Sequence, residues 1–200
     1  MGPRNDVCLM KEETMPDHEI LVGQVTVISL SDGTNEFPAN YVFPSVSSTE
    51  WAKYPGVLSK EGNLTTNFGC FILQSRGETI LVDTGAGPDL SGRLPEDLEN
   101  KGIDPGEVTI VAITHLHPDH VGWNITKAAG NGKVTFPRAR YLVPKEDWDH
   151  FRNPEVSKQA PYIESQVLPL EKYGVLGLME GETKITDDIT MVPTPGHTPG

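Results

Sequence analysis

Short hydrophobic runs alternate with polar turns along most of the chain. Runs rich in valine and isoleucine that end at Gly, Pro, Asn, Asp or Ser are typical of β-strands. This pattern predicts strands at residues 20–30, 68–74, 79–82, 108–113, 140–143 and 189–192. Ser75, Arg76 and Gly77 separate two of these runs, which predicts a hairpin. The run 108–113 is apolar throughout, as in a strand that is buried on both faces.

Helical segments are short and lie between the strands. One is predicted around residues 95–100, with Pro95 in its first turn and Gly102 behind its end. Another is predicted over residues 144–151, because acidic residues occupy its first turn. Strands that alternate with short helices predict an α/β or α+β fold.

Two segments have the composition of a tail or loop. Residues 1–19 are polar and acidic and are predicted to form a solvated tail, followed by one domain over residues 20–200. Residues 31–67 contain several Gly and Pro residues and are predicted to be a long loop. Aromatic residues are spread through it, so this loop is either a lid over a site or an arm that packs against the domain.

The composition narrows the classes of function. With 200 residues the chain suits one domain with its own core. A formal net charge of −12 repels phosphate backbones, so nucleic acid is not an expected partner. No long apolar run predicts a membrane span, and the polar N-terminus does not resemble a signal peptide, so a cytoplasmic location is expected. The cysteines Cys8 and Cys70 make neither a disulfide framework nor a zinc site.

Potential metal ligands crowd the turn that follows the strand 108–113. His115 and His117 are two positions apart, so their rings can point the same way on an extended chain. Pro118 blocks the continuation of a regular strand or helix, and the turn that follows brings Asp119 and His120 to a position close by. Without a cation, this many buried polar and protonatable groups would destabilise the fold. Imidazole and carboxylate ligands suit Zn²⁺, Fe²⁺ or Mn²⁺, so the cluster predicts a metal site.

Two further residues are candidates because they also follow strands. His197 lies in a turn that Gly196 allows to bend sharply, and it is predicted to be a further ligand of the metal held by His115 and His117. Asp83 is predicted to orient a ligand histidine, although an aspartate at this place is also a common turn residue. His18 and His150 have polar neighbours and are predicted to lie on the surface.

These segments resemble the metallo-β-lactamase superfamily. The resemblance is carried by the H-x-H-x-D-H run at 115–120, by Val82-Asp83-Thr84-Gly85 and by Thr194-Pro195-Gly196-His197, which occur in the family's order. It covers about residues 20–200 and implies an α+β fold of the αββα sandwich type, in which two packed sheets carry helices outside. In the family a bridging Asp and a further His follow the position of His197, so this chain is expected to be incomplete at its C-terminus.

The resemblance also implies the metal ligands and the reaction. His115, His117 and His197 would hold one metal ion, and Asp119 and His120 would help to hold a second. The implied cofactor is Zn²⁺, two ions in a complete site, with iron or manganese as alternatives. A metal-bound hydroxide would be the nucleophile, and Asp119 would pass a proton to the leaving group.

Within the superfamily, the chain is most similar to the branch of lactonases, arylesterases and organophosphate hydrolases. This similarity rests on Gly122-Trp123-Asn124 behind the motif and on the turn around His197. It implies hydrolysis of a small-molecule lactone, ester or organophosphate. The alternatives are a thioesterase of the hydroxyacylglutathione type, a single-iron persulfide dioxygenase, and a metal-binding fragment without turnover.

Overall fold

The structure, a computed structural model, describes residues 19–126 and 132–200. In chain order the strands are β1 (Glu19–Val22), β2 (Val25–Pro38), β3 (Asn63–Ser75), β4 (Glu78–Val82), β5 (Ile110–Ala112), β6 (Ile125–Thr126), β7 (Lys133–Val134), β8 (Arg140–Pro144), β9 (Leu176–Met179), β10 (Thr183–Lys184) and β11 (Thr190–Met191). The α-helices are α1 (Ala39–Val42), α2 (Ser48–Trp51), α3 (Leu94–Asn100), α4 (Pro118–Val121), α5 (Lys145–Phe151), α6 (Pro154–Ser157) and α7 (Leu168–Lys172). Short 3-10 turns lie at Pro88–Leu90 and Pro105–Glu107, and a π-helical turn at Ile163–Val167 leads into α7.

Seven of these strands form one mixed sheet. Its strand order is β1-β2-β3-β4-β5-β8-β9. The strands β1 to β4 pair antiparallel, whereas β4, β5, β8 and β9 run parallel. Parallel strands end at the same edge of a sheet, and ligand sites of such sheets lie outside these ends. The residues that follow Val82, Ala112 and Pro144 are therefore brought together at one edge.

The core is built where helices pack against this sheet. Its fully buried side chains come from β3, β4, β5 and β8 and from helices α3 and α7, and they include Ile72, Leu81, Leu94, Leu98, Val111, Tyr141, Val143 and Leu170. Helix α5 adds Trp148 and Phe151 to the same cluster. Because interiors are close-packed, this cluster holds the carboxyl ends of the parallel strands in fixed positions.

Most strands and both helices predicted from the sequence are confirmed. The hairpin joins β3 to β4 with Ser75 opposite Glu78. Helix α3 ends before Gly102, which has a φ of 69°, a conformation that glycine adopts without strain. The predicted segment 20–30 is split by a turn at Gly23, and Glu19, assigned to the tail, already belongs to β1. Residues 1–18 of the predicted tail lie outside the described residues.

The segment 31–67 is only partly a loop, which corrects the sequence prediction. Strand β2 continues to Pro38 and β3 begins at Asn63. The two strands pair from Thr26 opposite Gln74 to Pro38 opposite Asn63, with a bulge between Ser31 and Thr34. Strand formation depends on pairing and on cross-strand packing more than on intrinsic preference, so these polar residues gave no strand signal.

The connection between β2 and β3 carries aromatic side chains that pack on one another. Phe37 stacks on Tyr41 with ring centroids 6.2 Å apart, and Phe43 lies 5.8 Å from Trp51. Tyr41 remains 76% exposed. The role of this segment as a lid or a packing arm stays a prediction.

Helices α6 and α7 and strand β9 were not predicted. Pro154 and Pro169 occupy the first turns of α6 and α7, where a missing N–H costs nothing. The short β9 extends the sheet beyond β8. No helix in ranges 19–126 and 132–200 combines the length and apolar character needed to cross a bilayer.

Asp32 is a fully buried carboxylate at the bulge of β2. It accepts hydrogen bonds from Gly87 N at 2.9 Å, from Leu94 N, and from Trp123 Nε1 at 2.8 Å. A buried carboxylate is tolerated only when such bonds replace its hydration. Asp32 thereby joins β2 to the start of α3 and to the segment behind α4.

Candidate metal centre

The candidate residues meet at the edge where the parallel strands end. Asp83 directly follows β4, and the segment 114–120 follows β5. Pro118 does more than interrupt the strand, because it begins α4 as a first-turn proline and His117 is the residue before the helix. His197 arrives from the segment behind β11. The structure therefore brings together residues that are 80 positions apart, His117 and His197.

Three histidines converge on one point. One ring nitrogen each from His115, His117 and His197 lie within 4.8 Å of one another. His117 Nδ1 is 2.9 Å from His197 Nε2. His115 Nε2 is buried and has no hydrogen-bond partner among the described residues. A buried polar atom without a partner is costly, and imidazole nitrogens are common zinc ligands, so these three ring nitrogens fit a bound cation.

The lowered pKa values of His115 and His117 favour the neutral rings that metal binding requires. Burial, followed by the charges of His120 and His117, lowers the pKa of His115 to about 4. Burial and the neighbouring His197 also lower the pKa of His117. Metal ligation requires the neutral imidazole, so both rings are in the ligating form at neutral pH.

Thr114 sets the orientation of the His115 ring, a role that the sequence did not reveal. Its hydroxyl lies 2.8 Å from Asp83 Oδ2 and 3.0 Å from His115 Nδ1. When the hydroxyl donates to the carboxylate, it accepts from Nδ1–H of the ring. The other nitrogen, Nε2, is then left with a free lone pair, as a metal ligand requires.

Asp83 lies behind the cluster in the position predicted for an orienting carboxylate. It is buried, and besides the Thr114 hydroxyl it accepts from Thr114 N at 2.7 Å and lies 2.8 Å from His120 Nδ1. Its φ of 60° is unusual for a residue with a side chain and costs about 1–3 kcal/mol. The hydrogen bonds of the Asp83 side chain to Thr114 and His120 offset this strain and stabilise the unusual backbone conformation of Asp83. That Asp83 orients a ligand stays a proposal.

Asp119 and His120 form a pair beside the three histidines. His120 Nε2 is 3.6 Å from Asp119 Oδ2, and the rings of His120 and His115 are 3.9 Å apart. Burial alone would lower the pKa of His120, but the hydrogen bond to Asp83 and the charges of Asp83 and Asp119 together raise it. With Nδ1 engaged by Asp83, Nε2 is the nitrogen that lies nearest to Asp119. A role of this pair in holding a second ion stays a proposal.

The segment Gly122-Trp123-Asn124 packs the histidine-rich segment 114–120 against the end of strand β4. Gly122 N donates to Gly85 O at 2.8 Å, and Asn124 Oδ1 accepts from the Thr84 hydroxyl at 2.9 Å. A Cβ on Gly122 would lie 2.2 Å from the carbonyl carbon of Ala86. The backbone of the two segments therefore touches in a way that only glycine permits.

Gly122→Ala is expected to reduce the free energy of unfolding by about 1–3 kcal/mol, because the new methyl group clashes with backbone that cannot move aside. The clash also displaces α4, so zinc retained after dialysis should fall. Urea unfolding and elemental mass spectrometry measure the two effects. Gly69→Ala is the control, since its Cβ would meet only the end of the Asn67 side chain, at 3.2 Å. Equal stability of the two variants would show that the close contact at Gly122 is unimportant.

His150 lies outside the centre, as predicted. It is exposed on α5 and contacts the ring of Phe151 with centroids 5.0 Å apart. His18 and Cys8 lie outside the described residues. Cys70 is buried in the core, where burial raises the pKa of its thiol.

Comparisons with known proteins place the chain in a family. The model of the family described as "Metallo-beta-lactamase superfamily" matches residues 70–200. N-acyl homoserine lactonase AiiA from Bacillus thuringiensis subsp. kurstaki is 26% identical over 185 residues, which are 82% of this chain and 65% of that protein. Metallo-beta-lactamase domain-containing protein 1 from Xenopus laevis is 33% identical over 122 residues, 60% of this chain and 40% of that protein.

The fold also matches solved structures. The dizinc quorum-quenching lactonase AidC, solved in complex with a product, superposes with a TM-score of 0.69 at 20% identity, covering 91% of this chain and 67% of AidC. The chain thus spans 54–65% of the lactonases that it matches in sequence. The seven-stranded mixed sheet with its helices is the metallo-β-lactamase type of fold that the sequence predicted. Since the family model covers more than half of the residues, the chain belongs to the metallo-β-lactamase superfamily.

Proposed function

We propose that this chain carries the centre of a zinc-dependent hydrolase that cleaves a lactone, ester or organophosphate. The observation that supports it most directly is the convergence of His115, His117 and His197 around a buried ring nitrogen that has no partner among the described residues. Three neutral imidazoles that leave a position open are the ligand set of catalytic zinc sites. Zinc bound there would lower the pKa of a water molecule and polarise the bond to be cleaved.

The residues around the proposed metal centre have different proposed roles. His115, His117 and His197 would hold the first ion, with Thr114 and Asp83 orienting the rings. Asp119 and His120, whose side chains lie 3.6 Å apart, would help to hold a second ion. The Asp119 side chain is 37% exposed, so it can reach substrate and hand a proton to the leaving group. Asp119 is therefore the proposed catalytic residue.

The names of the relatives suggest the first substrates to test. AiiA is a lactonase for N-acyl homoserine lactones, and AidC is a dizinc lactonase. An N-acyl homoserine lactone is uncharged, which suits a protein with a formal net charge of −12 better than a polyanion does. A small-molecule lactone is accordingly the proposed substrate class.

The full chain, purified and dialysed, is expected to retain zinc and to open an N-acyl homoserine lactone ring. Elemental mass spectrometry gives metal identity and stoichiometry, and a pH indicator follows the released acid. An aryl ester and a phosphotriester serve as further substrates. Asp119→Asn should keep the metal of the three histidines but lose turnover. Asp149→Asn, an exposed aspartate on α5, is the control.

Other results of these metal and turnover assays would point to a different function. Iron together with oxygen uptake on a persulfide would identify a dioxygenase, and turnover of a glutathione thioester alone would identify a thioesterase. Bound zinc without turnover of any substrate would identify a metal-binding protein that does not hydrolyse. Absence of bound metal would contradict the proposal.

A further inference from the structure

Leu116, the residue between two proposed ligands, is held by side chains from other elements. Its backbone N donates to Asp147 Oδ2 at 2.9 Å, and its carbonyl accepts from the Tyr162 hydroxyl at 2.9 Å. Its own side chain is fully buried. Burial and the charges of Asp119 and Asp147 raise the pKa of Tyr162 to about 12, so this hydroxyl stays protonated and can donate.

The same aspartate also holds the segment that carries His197. Asp147 Oδ1 accepts from Gly200 N at 2.8 Å. Between these residues, Gly196 N donates to the carbonyl of Thr198 at 2.9 Å, which closes the turn on which His197 lies. The two oxygens of one carboxylate therefore contact two segments that are far apart in sequence.

Asp147 has no exposed surface, although it belongs to the first turn of α5. A buried carboxylate is costly, and its retention at this place is explained when its hydrogen bonds serve a purpose. The same helix supplies Phe151, whose ring meets the ring of His117 edge-on with centroids 5.9 Å apart. Helix α5 thus contacts the His117 segment through both a polar and an aromatic side chain.

We propose that Asp147 is a positioning residue that ties the His115–His117 segment to the His197 segment and so holds the three ligands at metal-binding distance. This proposal rests on the proposed metal centre. It goes beyond the ligand set, because the hydrogen bonds found for Asp147 among the described residues run to backbone N–H groups beside the ligands. Only a carboxylate presents an acceptor to both N–H groups, whereas the amide of asparagine turns a donor toward one of them.

The test compares Asp147→Asn with Asp149→Asn, which changes an exposed aspartate two positions along the same helix. Zinc affinity is measured by competition with a chromophoric chelator, and Co²⁺ replaces Zn²⁺ for visible absorption spectra. We expect zinc binding in Asp147→Asn to weaken roughly 10–100-fold, the range found for partners of metal ligands. The cobalt spectrum per bound ion should change as well. Asp149→Asn should match the parent protein in both measurements.

Thermal unfolding of the metal-free variants separates positioning from general stability. A residue that only stabilised the fold would lower the melting temperature of the metal-free protein and leave the cobalt spectrum of the folded fraction unchanged, and that result would overturn the proposal. Unchanged zinc affinity would do the same. If the parent protein itself binds neither zinc nor cobalt, the metal centre has failed, and the role of Asp147 fails with it.

A second variant covers the case in which Asp147→Asn does not fold. In Gly200→Ala the carboxylate stays intact, but the new Cβ would lie 2.7 Å from Pro144 Cβ and 3.0 Å from Asp147 Oδ1. The methyl group therefore pushes the His197 segment away from Asp147. Weaker zinc binding by this variant supports the proposal, and parental affinity contradicts it.

Discussion

Replacing His115 and His117 together by alanine is expected to abolish zinc retention and all metal-dependent hydrolysis. Of the three converging nitrogens, only that of His197 would remain, and one imidazole does not hold zinc against dialysis. Elemental mass spectrometry and the lactone assay measure the two losses. Activity on a lactone or aryl ester that survived the double change would show that the reaction does not use this centre.

The metal-free protein should tolerate the same double change. His115 Nε2 is buried without a hydrogen-bond partner in the described ranges, and the rings of His115 and His117 are 4.8 Å apart. Alanine removes the unsatisfied nitrogen, so metal-free stability should be retained or increased, as expected of residues kept for function. Thermal unfolding in the presence of a chelator measures this. His150→Ala, at an exposed histidine, is the control for zinc binding and activity.

Asp32→Ala is expected to lower the free energy of unfolding by more than about 3 kcal/mol, because each buried donor left unpaired costs about 1–3 kcal/mol. The change removes the acceptor of the N–H groups of Gly87, Leu94 and Trp123 and leaves them without these hydrogen bonds. It also opens a space beside Gly85 and Gly92, which lie so close that a Cβ on either would clash with the Asp32 side chain. Urea unfolding with linear extrapolation gives the value.

Asp149→Ala is the matched control for that measurement. Asp149 is exposed and pairs only with Lys145 on the same helix in the part of the chain that the structure describes. Surface changes of this kind usually alter stability by less than about 0.5 kcal/mol. A loss for Asp32→Ala that was no larger than the loss for Asp149→Ala would mean that the buried hydrogen bonds contribute little net free energy.

The parts of the fold that the sequence predicted are those with strong local signals. The hairpin β3–β4, the strand β5 and the helices α3 and α5 follow from runs of apolar residues, turn residues and first-turn acids. The extension of β2 to Pro38 could not be predicted from the sequence. Its polar residues form a strand because they pair with β3. Neighbouring strands that pair across long separations leave no local pattern.

Some residues of the candidate site could also be predicted from the sequence, and others could not. Spacing on an extended chain was enough to single out His115 and His117, and the sharp turn behind a strand, read together with that cluster, added His197. Thr114 and Asp147 could not be found from the sequence, because they act through partners 31 positions or more away, at Asp83, Leu116 and Gly200. In the sequence, Asp147 was one more acid in the first turn of a helix.

The distance along the chain between His117 and His197 has a consequence for folding. Bringing together residues 80 positions apart costs about 4 kcal/mol of chain entropy at 25 °C, and contacts of such long range slow folding. The intervening residues include β8 and β9, which pair in parallel, and helix α5 between them. We therefore expect the histidine cluster to assemble late in folding, and a contact that forms after the transition state acts mainly on the rate of unfolding. An ion held by these rings would make the native state long-lived without making it quick to form.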